Sequence, residues 1–255
     1  MTDYYAPGSL SIGFYDVMSA VCHRHLDGDV AFYAALAGSP PRAILEAGVG
    51  TGRVAWALAE RGYEVTGFDR SPDMLAAAER NRPPGLAARL AVGELTAFDF
   101  GRRFDLVIAP FYVFNHLHTD AERRAGLARL NAHRADGGRI VLHLAGAAVL
   151  SADIPEATLA DQRTTVRFDE HDAMLQVRIA GREVDRQRQV CAQHVEYALL
   201  HADGRVLHRS VETLRYAWMT DGQLAALLDE AGLRLLDRRS GFADAAGVED
   251  ILVLG

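Results

Sequence analysis

The chain of 255 residues has two cysteines, Cys22 and Cys191, no excess of positive charge and no long apolar run. Each shortage excludes something. Two thiols so far apart cannot build a disulfide framework or a zinc site, so both are expected to be buried thiols. Lys and Arg number 27 against 34 Asp and Glu, a net charge of −7. No global basic field therefore exists to neutralise phosphates or anionic lipid, and nucleic acid is not an expected partner. The longest apolar stretch, Ile140 to Leu150, is interrupted by His143 and falls short of the ~18 residues of a membrane span. The opening MTDYYAPGSL has neither the basic start nor the apolar run of a signal peptide. A cytoplasmic protein with no membrane partner is expected. What is present is an ordinary globular composition, 49% apolar and 24% charged, sufficient for a large core in one big domain or in a domain carrying an insertion.

Apolar runs of strand length recur at Arg42 to Leu45, Glu64 to Phe68, Ala88 to Val92, Asp105 to Ala109 and Arg139 to Leu144. Helical patterns separate them. Ser71 stands before Pro72 as a cap before a first-turn proline, and Met74, Leu75 and Ala78 follow at helical spacing. Thr119-Asp120-Ala121-Glu122 has the form of a capping box, and Gly137-Gly138 is read as the break before the fifth run. Strands alternating with helices imply right-handed crossovers and a buried, largely parallel sheet. From Thr164 to Trp218 the pattern becomes alternating, with β-branched and aromatic residues and a turn at His201 to Arg205, which predicts antiparallel hairpins. A second capping box, Thr220 to Gln223, opens a helix running to Gly232, and Arg234 to Leu236 and Asp250 to Leu254 are read as closing strands.

The chemistry is concentrated in Glu46-Ala47-Gly48-Val49-Gly50-Thr51-Gly52-Arg53, between a strand and a helix. Glycines at 48, 50 and 52 let backbone approach a ligand closely. A dinucleotide fingerprint, G-x-G-x-x-G, would need glycine at position 53, where Arg stands. The spacing is E-x-G-x-G-x-G instead, with a second acid, Asp69, closing the next strand. A carboxylate at 69 can accept ribose hydroxyls, whereas Glu46 would repel a pyrophosphate. The ligand suggested is a ribose bearing a cationic amino-acid tail.

These residues resemble the class I S-adenosylmethionine-dependent methyltransferases of the small-molecule type, including glycine and amino-sugar N-methyltransferases and a largely uncharacterised bacterial subgroup. The acidic strand end and G-x-G-x-G loop of that family match Glu46, Gly48, Gly50 and Gly52, with Val49 where a smaller residue is usual. Its ribose-binding acid corresponds to Asp69, and Arg70 and Met74 would cover the adenine. Its third motif, commonly G-D-M or G-D-L, reads Gly93-Glu94-Leu95, where Glu94 would accept from the adenine amino group and the Leu95 N–H would serve the ring. Phe104 to Phe111 followed by Phe114-Asn115-His116-Leu117 resembles the subgroup's F-D-x-V…F…Q-H-L stretch, with Asn115 in place of Gln; Leu214-Arg215-Tyr216 fits the same subgroup. The resemblance implies a Rossmann-like α/β fold, a seven-stranded class I methyltransferase sheet carrying an inserted antiparallel β unit. It divides the chain into an N-terminal helical cover (1–39), a cofactor-binding core (40–144 and 220–255) and an inserted lid or substrate unit (145–219).

Ligands of parallel α/β sheets lie beyond the carboxyl ends of the strands, which selects Pro110 to His116, His143 and the N-terminal cover. His116 is the candidate base or acceptor-orienting group, alongside a reading as a loop fastener; His143 reads better as a satisfied core residue. Tyr15, in Phe14-Tyr15-Asp16, matches a family position that approaches the transferred methyl, alongside a reading as a residue packing the first helix. Arg53 would meet the cofactor carboxylate or pair with Glu46 or another neighbour. The pairs His23/His25 and His116/His118 lack a third ligand, so no metal is expected. The expected activity is methyl transfer from S-adenosylmethionine, leaving S-adenosylhomocysteine, to a small-molecule acceptor, an amine slightly preferred over a hydroxyl. The rivals are a non-catalytic S-adenosylmethionine-binding module and an NAD-type oxidoreductase. A monomer or a homodimer fits equally.

Overall fold

The computed structural model describes residues 1–22, 26–168, 172–242 and 249–255. It opens with a two-residue strand, β1 (Thr2–Asp3), and the helices α1 (Leu10–Gly13), α2 (Tyr15–Cys22) and α3 (Asp29–Ala37). Strand β2 (Ala43–Ala47), helix α4 (Arg53–Ala59), strand β3 (Glu64–Asp69), helix α5 (Pro72–Arg80) and strands β4 (Arg89–Val92) and β5 (Phe104–Ala109) follow. Helix α6 (Asp120–Ala132) leads to strand β6 (Arg134–Ala145), and the short helices α7 (Ala147–Ser151) and α8 (Glu156–Asp161) precede the strands β7 (Arg163–Phe168), β8 (Ala173–Asp185), β9 (Val190–His201) and β10 (Val206–Ala217). Helix α9 (Asp221–Glu230) and strands β11 (Leu235–Arg239) and β12 (Glu249–Leu254) complete the order.

Seven strands form one sheet in the order β11-β12-β6-β5-β2-β3-β4. The five from β6 to β4 are parallel, and β12 runs antiparallel to both β6 and β11. Strand side chains alternate between faces, and the core divides accordingly. Leu45, Phe68 and Val107 pack on one side with Leu127 and Leu130 of α6 and Leu224, Leu227 and Leu228 of α9. Ile44, Val65, Leu106 and Ile108 pack on the other with Tyr33 of α3, Val54 and Leu58 of α4 and Leu75 of α5. Each such aliphatic side chain, taken fully out of water, contributes about 1.5–3 kcal/mol. Caps fix where the covering helices begin. Ser71 accepts from the Met74 N–H, and reciprocal capping boxes join Thr119 to Glu122 and Thr220 to Gln223.

Gly137-Gly138 does not break the helix before the fifth run. Helix α6 already ends at Ala132, and the two glycines lie inside β6, where the ladder with β5 slips between Phe104 and Leu106. The backbone of β5 approaches closely there: a Cβ on residue 138 would lie 2.9 Å from the Asp105 carbonyl oxygen.

The second sheet has the order β1-β10-β9-β8-β7. Its hairpins follow the alternation of the sequence, whereas β1 is held by backbone pairing with Glu212 and Thr213 and has no side-chain pattern to announce it. One face of this sheet, Leu175, Val177, Val195 and Tyr197, is covered by Tyr4, Leu10, Phe14 and Met18. Glu212, wholly buried, accepts the Leu10 N–H at 2.9 Å, the Ser11 N–H at 3.1 Å and the Ser210 hydroxyl at 2.7 Å. A buried carboxylate is stable only when its oxygens are filled in this way. The consequence is positional: the N-terminal segment is pinned beneath the second sheet and faces the carboxyl ends of the first.

Candidate active site

A cleft of about 580 Å³ opens at the carboxyl ends of β2, β3, β4 and β5. Its floor is the turn after β2. Gly48 and Val49 donate their N–H groups to the Phe68 carbonyl at 2.8 and 3.0 Å, and the Gly50 N–H donates to Asp69 Oδ2 at 2.8 Å. Gly48 adopts φ 71°, and a Cβ there would meet Val113 Cγ2 at 2.3 Å, so the loop and the turn after β5 touch without space between them. Val49, larger than the usual residue, has its place because β3 carries Gly67: a Cβ on 67 would lie 2.3 Å from Val49 Cγ2. Gly52 is the one predicted cofactor residue that does not line the cleft. It precedes α4 as its N-cap, and Trp56 Nε1 stands 2.4 Å from where its Cβ would be. Its hydrogen side faces Trp56 and Ala78, whose carbonyl the indole N–H meets at 2.8 Å.

Glu46, Gly48, Gly50, Arg53, Asp69, Arg70, Met74, Glu94, Leu95 and Pro110 all line the cleft, and His116 and Tyr15 join them from the opposite side. Asp69 Oδ1 also accepts the Ser71 N–H at 2.9 Å, so the acid at the end of β3 ties the glycine turn to the start of α5. Burial pushes its carboxyl pKa up, with the two backbone donors acting against the rise. Glu46 is 2% exposed and its Oε2 has no hydrogen-bond partner among the described residues. Burial pushes its pKa well above the ordinary carboxylate range, the Arg53 charge opposing. Arg53 does not pair with Glu46. Its Nη1 donates to Asp29 Oδ1 at 3.0 Å and its Nη2 to Asp29 Oδ2, a two-pronged pair with an acid of α3 that is 2% exposed. The Asp29 partnership has no counterpart in the sequence motif, and only the contact of α3 with α4 creates it.

The other end of the cleft is aromatic. The turn after β5 takes Phe111 and Tyr112 through left-handed backbone, φ 45° and 66°, before the 3-10 turn Val113–His116. Asn115 fastens that turn, donating to the Ala217 carbonyl at 2.8 Å and accepting the Ala145 N–H at 3.0 Å. His116 follows, its ring 4.9 Å from that of Tyr216 and 5.5 Å, edge on, from that of Tyr5. Burial, reinforced by the charges of His118 and Arg70, pushes the His116 pKa down to about 4. The imidazole is therefore neutral near pH 7 and offers a hydrogen-bond acceptor without positive charge. Burial raises the pKa of both the Tyr5 and the Tyr216 phenol. Tyr5, from the aromatic N-terminal stretch that also holds Tyr15, stands in the cleft with it because β1 and Glu212 bring the first residues there. Asp16, beside Tyr15, accepts from Asn81 Nδ2 at 2.8 Å, and the same nitrogen reaches the Thr51 carbonyl at 3.2 Å, linking α2 to the glycine turn.

His143 is wholly buried on β6 and is not among the lining residues. His23 and His25 lie outside the described residues, as does the side chain of Cys22. His118 Nε2 faces the Arg215 carbonyl at 3.3 Å, and among the described residues no group of three possible metal ligands occurs. Cys191 is 1% exposed and burial raises its thiol pKa. Among the described residues, no helix is long and apolar enough to cross a membrane.

The donor set suits an adenosyl amino acid. The open face of Gly50, where a Cβ would meet nothing within 4 Å, admits a ligand against backbone, and the unpartnered Glu46 oxygen awaits a donor such as an α-ammonium. The seven-stranded, mostly parallel sheet matches the fold of class I methyltransferase structures. Residues 44–138 match the family model described as Methyltransferase domain. It is 36% identical over 99 residues to a dTDP-3-amino-3,6-dideoxy-alpha-D-glucopyranose N,N-dimethyltransferase of Streptomyces fradiae, a match covering 39% of this chain and 38% of the relative. It is 27% identical over 201 residues to a glycine/sarcosine N-methyltransferase of Parasynechococcus marenigrum (strain WH8102), covering 76% of this chain and 63% of the relative. The matches thus span less than two thirds of either relative's length. Among solved structures, the SAM-bound amino pentose methyltransferase CalS10 of Micromonospora echinaspora superposes with a TM-score of 0.70 at 25% identity, covering 95% of each chain.

Proposed function

We propose that the chain transfers a methyl group from S-adenosylmethionine to an amine nitrogen of a small molecule. The observation that carries this reading is one cleft with two chemically different ends: Glu46 and Asp69 about the glycine turn, and His116, Tyr5 and Tyr15 opposite them. In the proposed complex Asp69 holds the ribose hydroxyls with the lone pairs its two backbone donors leave free. Glu46 accepts from the α-ammonium, Arg70 and Met74 cover the adenine, and Glu94 and the Leu95 N–H meet its edge. Arg53, held by two of its five N–H donors on Asp29, places the others toward the cofactor carboxylate. When bound, the cofactor supplies a methyl group already activated by the positive charge on sulfur.

The remaining work is alignment and exclusion of water, which can account for about 7–11 kcal/mol of a barrier in favourable cases. Tyr5, Tyr15 and Phe111 close the cleft around the acceptor, and the neutral His116 ring accepts a hydrogen bond from its N–H, turning the nitrogen lone pair toward the donor side. A ring with a pKa near 4 is a poor resting place for a proton, so orientation is its role and an amine that arrives neutral needs no stronger base. An alcohol would need one, which is the physical reason for preferring nitrogen. The names of the amino-sugar and glycine/sarcosine relatives support the same preference. The segment 145–219, whose sheet backs the cover, is proposed to shape the acceptor end, and the segment 1–39 to close over it.

Two measurements test the reading. Calorimetric titration should detect S-adenosylmethionine and S-adenosylhomocysteine and not NAD. Incubation with methyl-labelled cofactor and a library of small amines and alcohols should label amines. Binding of NAD in place of the sulfonium, or labelling confined to alcohols, would refute it.

A further inference from the structure

His143 is 0% exposed, lies on β6 one strand away from the turn that builds the acceptor end, and is absent from the cleft lining. Its contacts nonetheless converge on that turn. Its Nδ1 accepts the Phe111 N–H at 3.2 Å and its carbonyl accepts the Tyr112 N–H at 2.9 Å. Those donors belong to the two left-handed residues, φ 45° and 66°, a backbone state that bulky side chains take only when their surroundings impose it. With Nδ1 accepting, the neutral ring carries its proton on Nε2. That nitrogen stands 3.3 Å from Glu249 Oε2, a close electrostatic contact short of hydrogen-bond alignment. The other oxygen, Glu249 Oε1, accepts the Tyr112 hydroxyl at 2.7 Å. The Tyr112 ring meets the His143 ring edge on at 4.9 Å.

We infer that His143, backed by Glu249 and Tyr112, is a positioning residue for the acceptor end of the cleft: it imposes the left-handed turn and so sets where Phe111 and His116 stand. The turn is tied at both ends, by Asn115 downstream and by His143 upstream. Without the upstream tie, Phe111 and Tyr112 relax toward ordinary backbone. The chain then leaves β5 in another direction, and His116 loses its place between Tyr5 and Tyr216. The role in catalysis rests on the methyl-transfer reading above; the role in placing His116 does not.

The test uses the full chain with ¹⁵N-labelled histidine and three variants. His143→Leu removes the acceptor for the Phe111 N–H, His143→Asn retains an acceptor near the Nδ1 position, and Tyr112→Phe removes only the hydroxyl to Glu249. In His143→Leu the His116 ring signal should titrate about one pH unit or more closer to an unperturbed histidine, as its burial is lost. In His143→Asn it should remain near the wild-type midpoint. With any amine the wild type methylates, the KM for the amine should rise about tenfold in His143→Leu while the dissociation constant of S-adenosylhomocysteine changes less than about threefold. A folded His143→Leu protein with wild-type His116 titration overturns the assignment. If that variant does not fold, Tyr112→Phe decides by the same titration, moving it in the same direction if the assignment holds and leaving it unmoved if it fails. Should no amine be methylated, the methyl-transfer reading falls and the titration still decides the placement of His116.

Discussion

Replacing Gly48 by Ala should destabilise the protein through two separable effects. The first is conformational: residue 48 has φ 71°, where an L side chain costs about 1–2 kcal/mol. The second is steric. The added methyl would lie 2.3 Å from Val113 Cγ2 and 3.0 Å from Val113 Cγ1, and insertion into a filled space costs about 1–3 kcal/mol. Val113 has little freedom to yield, since a β-branched side chain is stiff at χ1 and its backbone follows directly on the left-handed Tyr112, φ 66°. The single variant should therefore lose about 2–5 kcal/mol of unfolding free energy, a large share of the about 5–15 kcal/mol typical of a domain. Val113→Ala removes both γ-carbons and alone should cost about 1 kcal/mol, because the side chain is half-buried. In the double variant the two γ-carbon clashes are gone and only the Cβ of residue 113, 3.2 Å away, still presses on the new methyl, giving a coupling of about 1–3 kcal/mol in favour of the pair. Urea unfolding of the four proteins without cofactor, followed by tryptophan fluorescence and circular dichroism, measures it. Costs that add to within about 0.5 kcal/mol would falsify the claim that the glycine turn and the turn after β5 press on each other.

Asp69→Ala should weaken S-adenosylhomocysteine binding at least about 100-fold, since it strands the Gly50 and Ser71 N–H groups besides removing the proposed ribose partner; calorimetric affinity within about threefold of wild type would show that the assignment is wrong. Glu46 carries a sign that can be checked. Burial raises its folded-state pKa, so its contribution to stability is fully present below the unfolded-chain pKa and is lost as pH rises through the folded value. Glu46→Gln should accordingly gain on wild type between about pH 5 and pH 8 in urea midpoint, while wild type, but not the variant, releases a proton on binding cofactor in buffers of different ionisation enthalpy. An equal midpoint difference at both pH values rejects the first expectation. His116→Ala should lower kcat for an amine acceptor about 100-fold with cofactor affinity retained, and the wild-type rate should show no His116 inflection near 6.5, because that group titrates near 4; a wild-type rate in the variant would leave His116 as a loop residue.

The parts of this protein that read directly from sequence are those whose cause is local. Caps at Ser71, Thr119 and Thr220 accept backbone N–H groups three residues on, with Glu122 and Gln223 reaching back to the two threonines, and the strand runs of β2, β3, β5 and β6 follow from apolar side chains being needed on both faces of one buried sheet. The glycine turn with Glu46 and Asp69 belongs to the same class, because its spacing alone decides which backbone groups lie open. Gly52 shows where that logic stops. As part of a motif it reads as a ligand contact, and the fold adds a second demand, since its missing Cβ is needed by Trp56, one turn into α4.

What lay beyond reach was long-range pairing. Nothing around Thr2 announces a strand, yet its pairing with Glu212 and the grip of the Glu212 carboxylate on Leu10, 202 residues away in the chain, and on Ser11 deliver Tyr5 to the cleft. Asp29 and Arg53 find each other only once α3 lies on α4, and Val49 is admitted only because β3 carries Gly67 beside it. In each case the local signal is a polar or bulky residue with no visible purpose, and the purpose is a partner brought by the fold. His143 follows the same rule. Read alone it is a core histidine in a strand, and the structure keeps it in the core, but its hydrogen bonds run outward to the turn on which the acceptor end is built. The end of the cleft about the glycine turn, made of one contiguous motif and the strand ends beside it, was legible in the sequence. The aromatic end is assembled from the first residues, the turn after β5, β10 and β12, so the acceptor specificity proposed for it depends on how those segments meet.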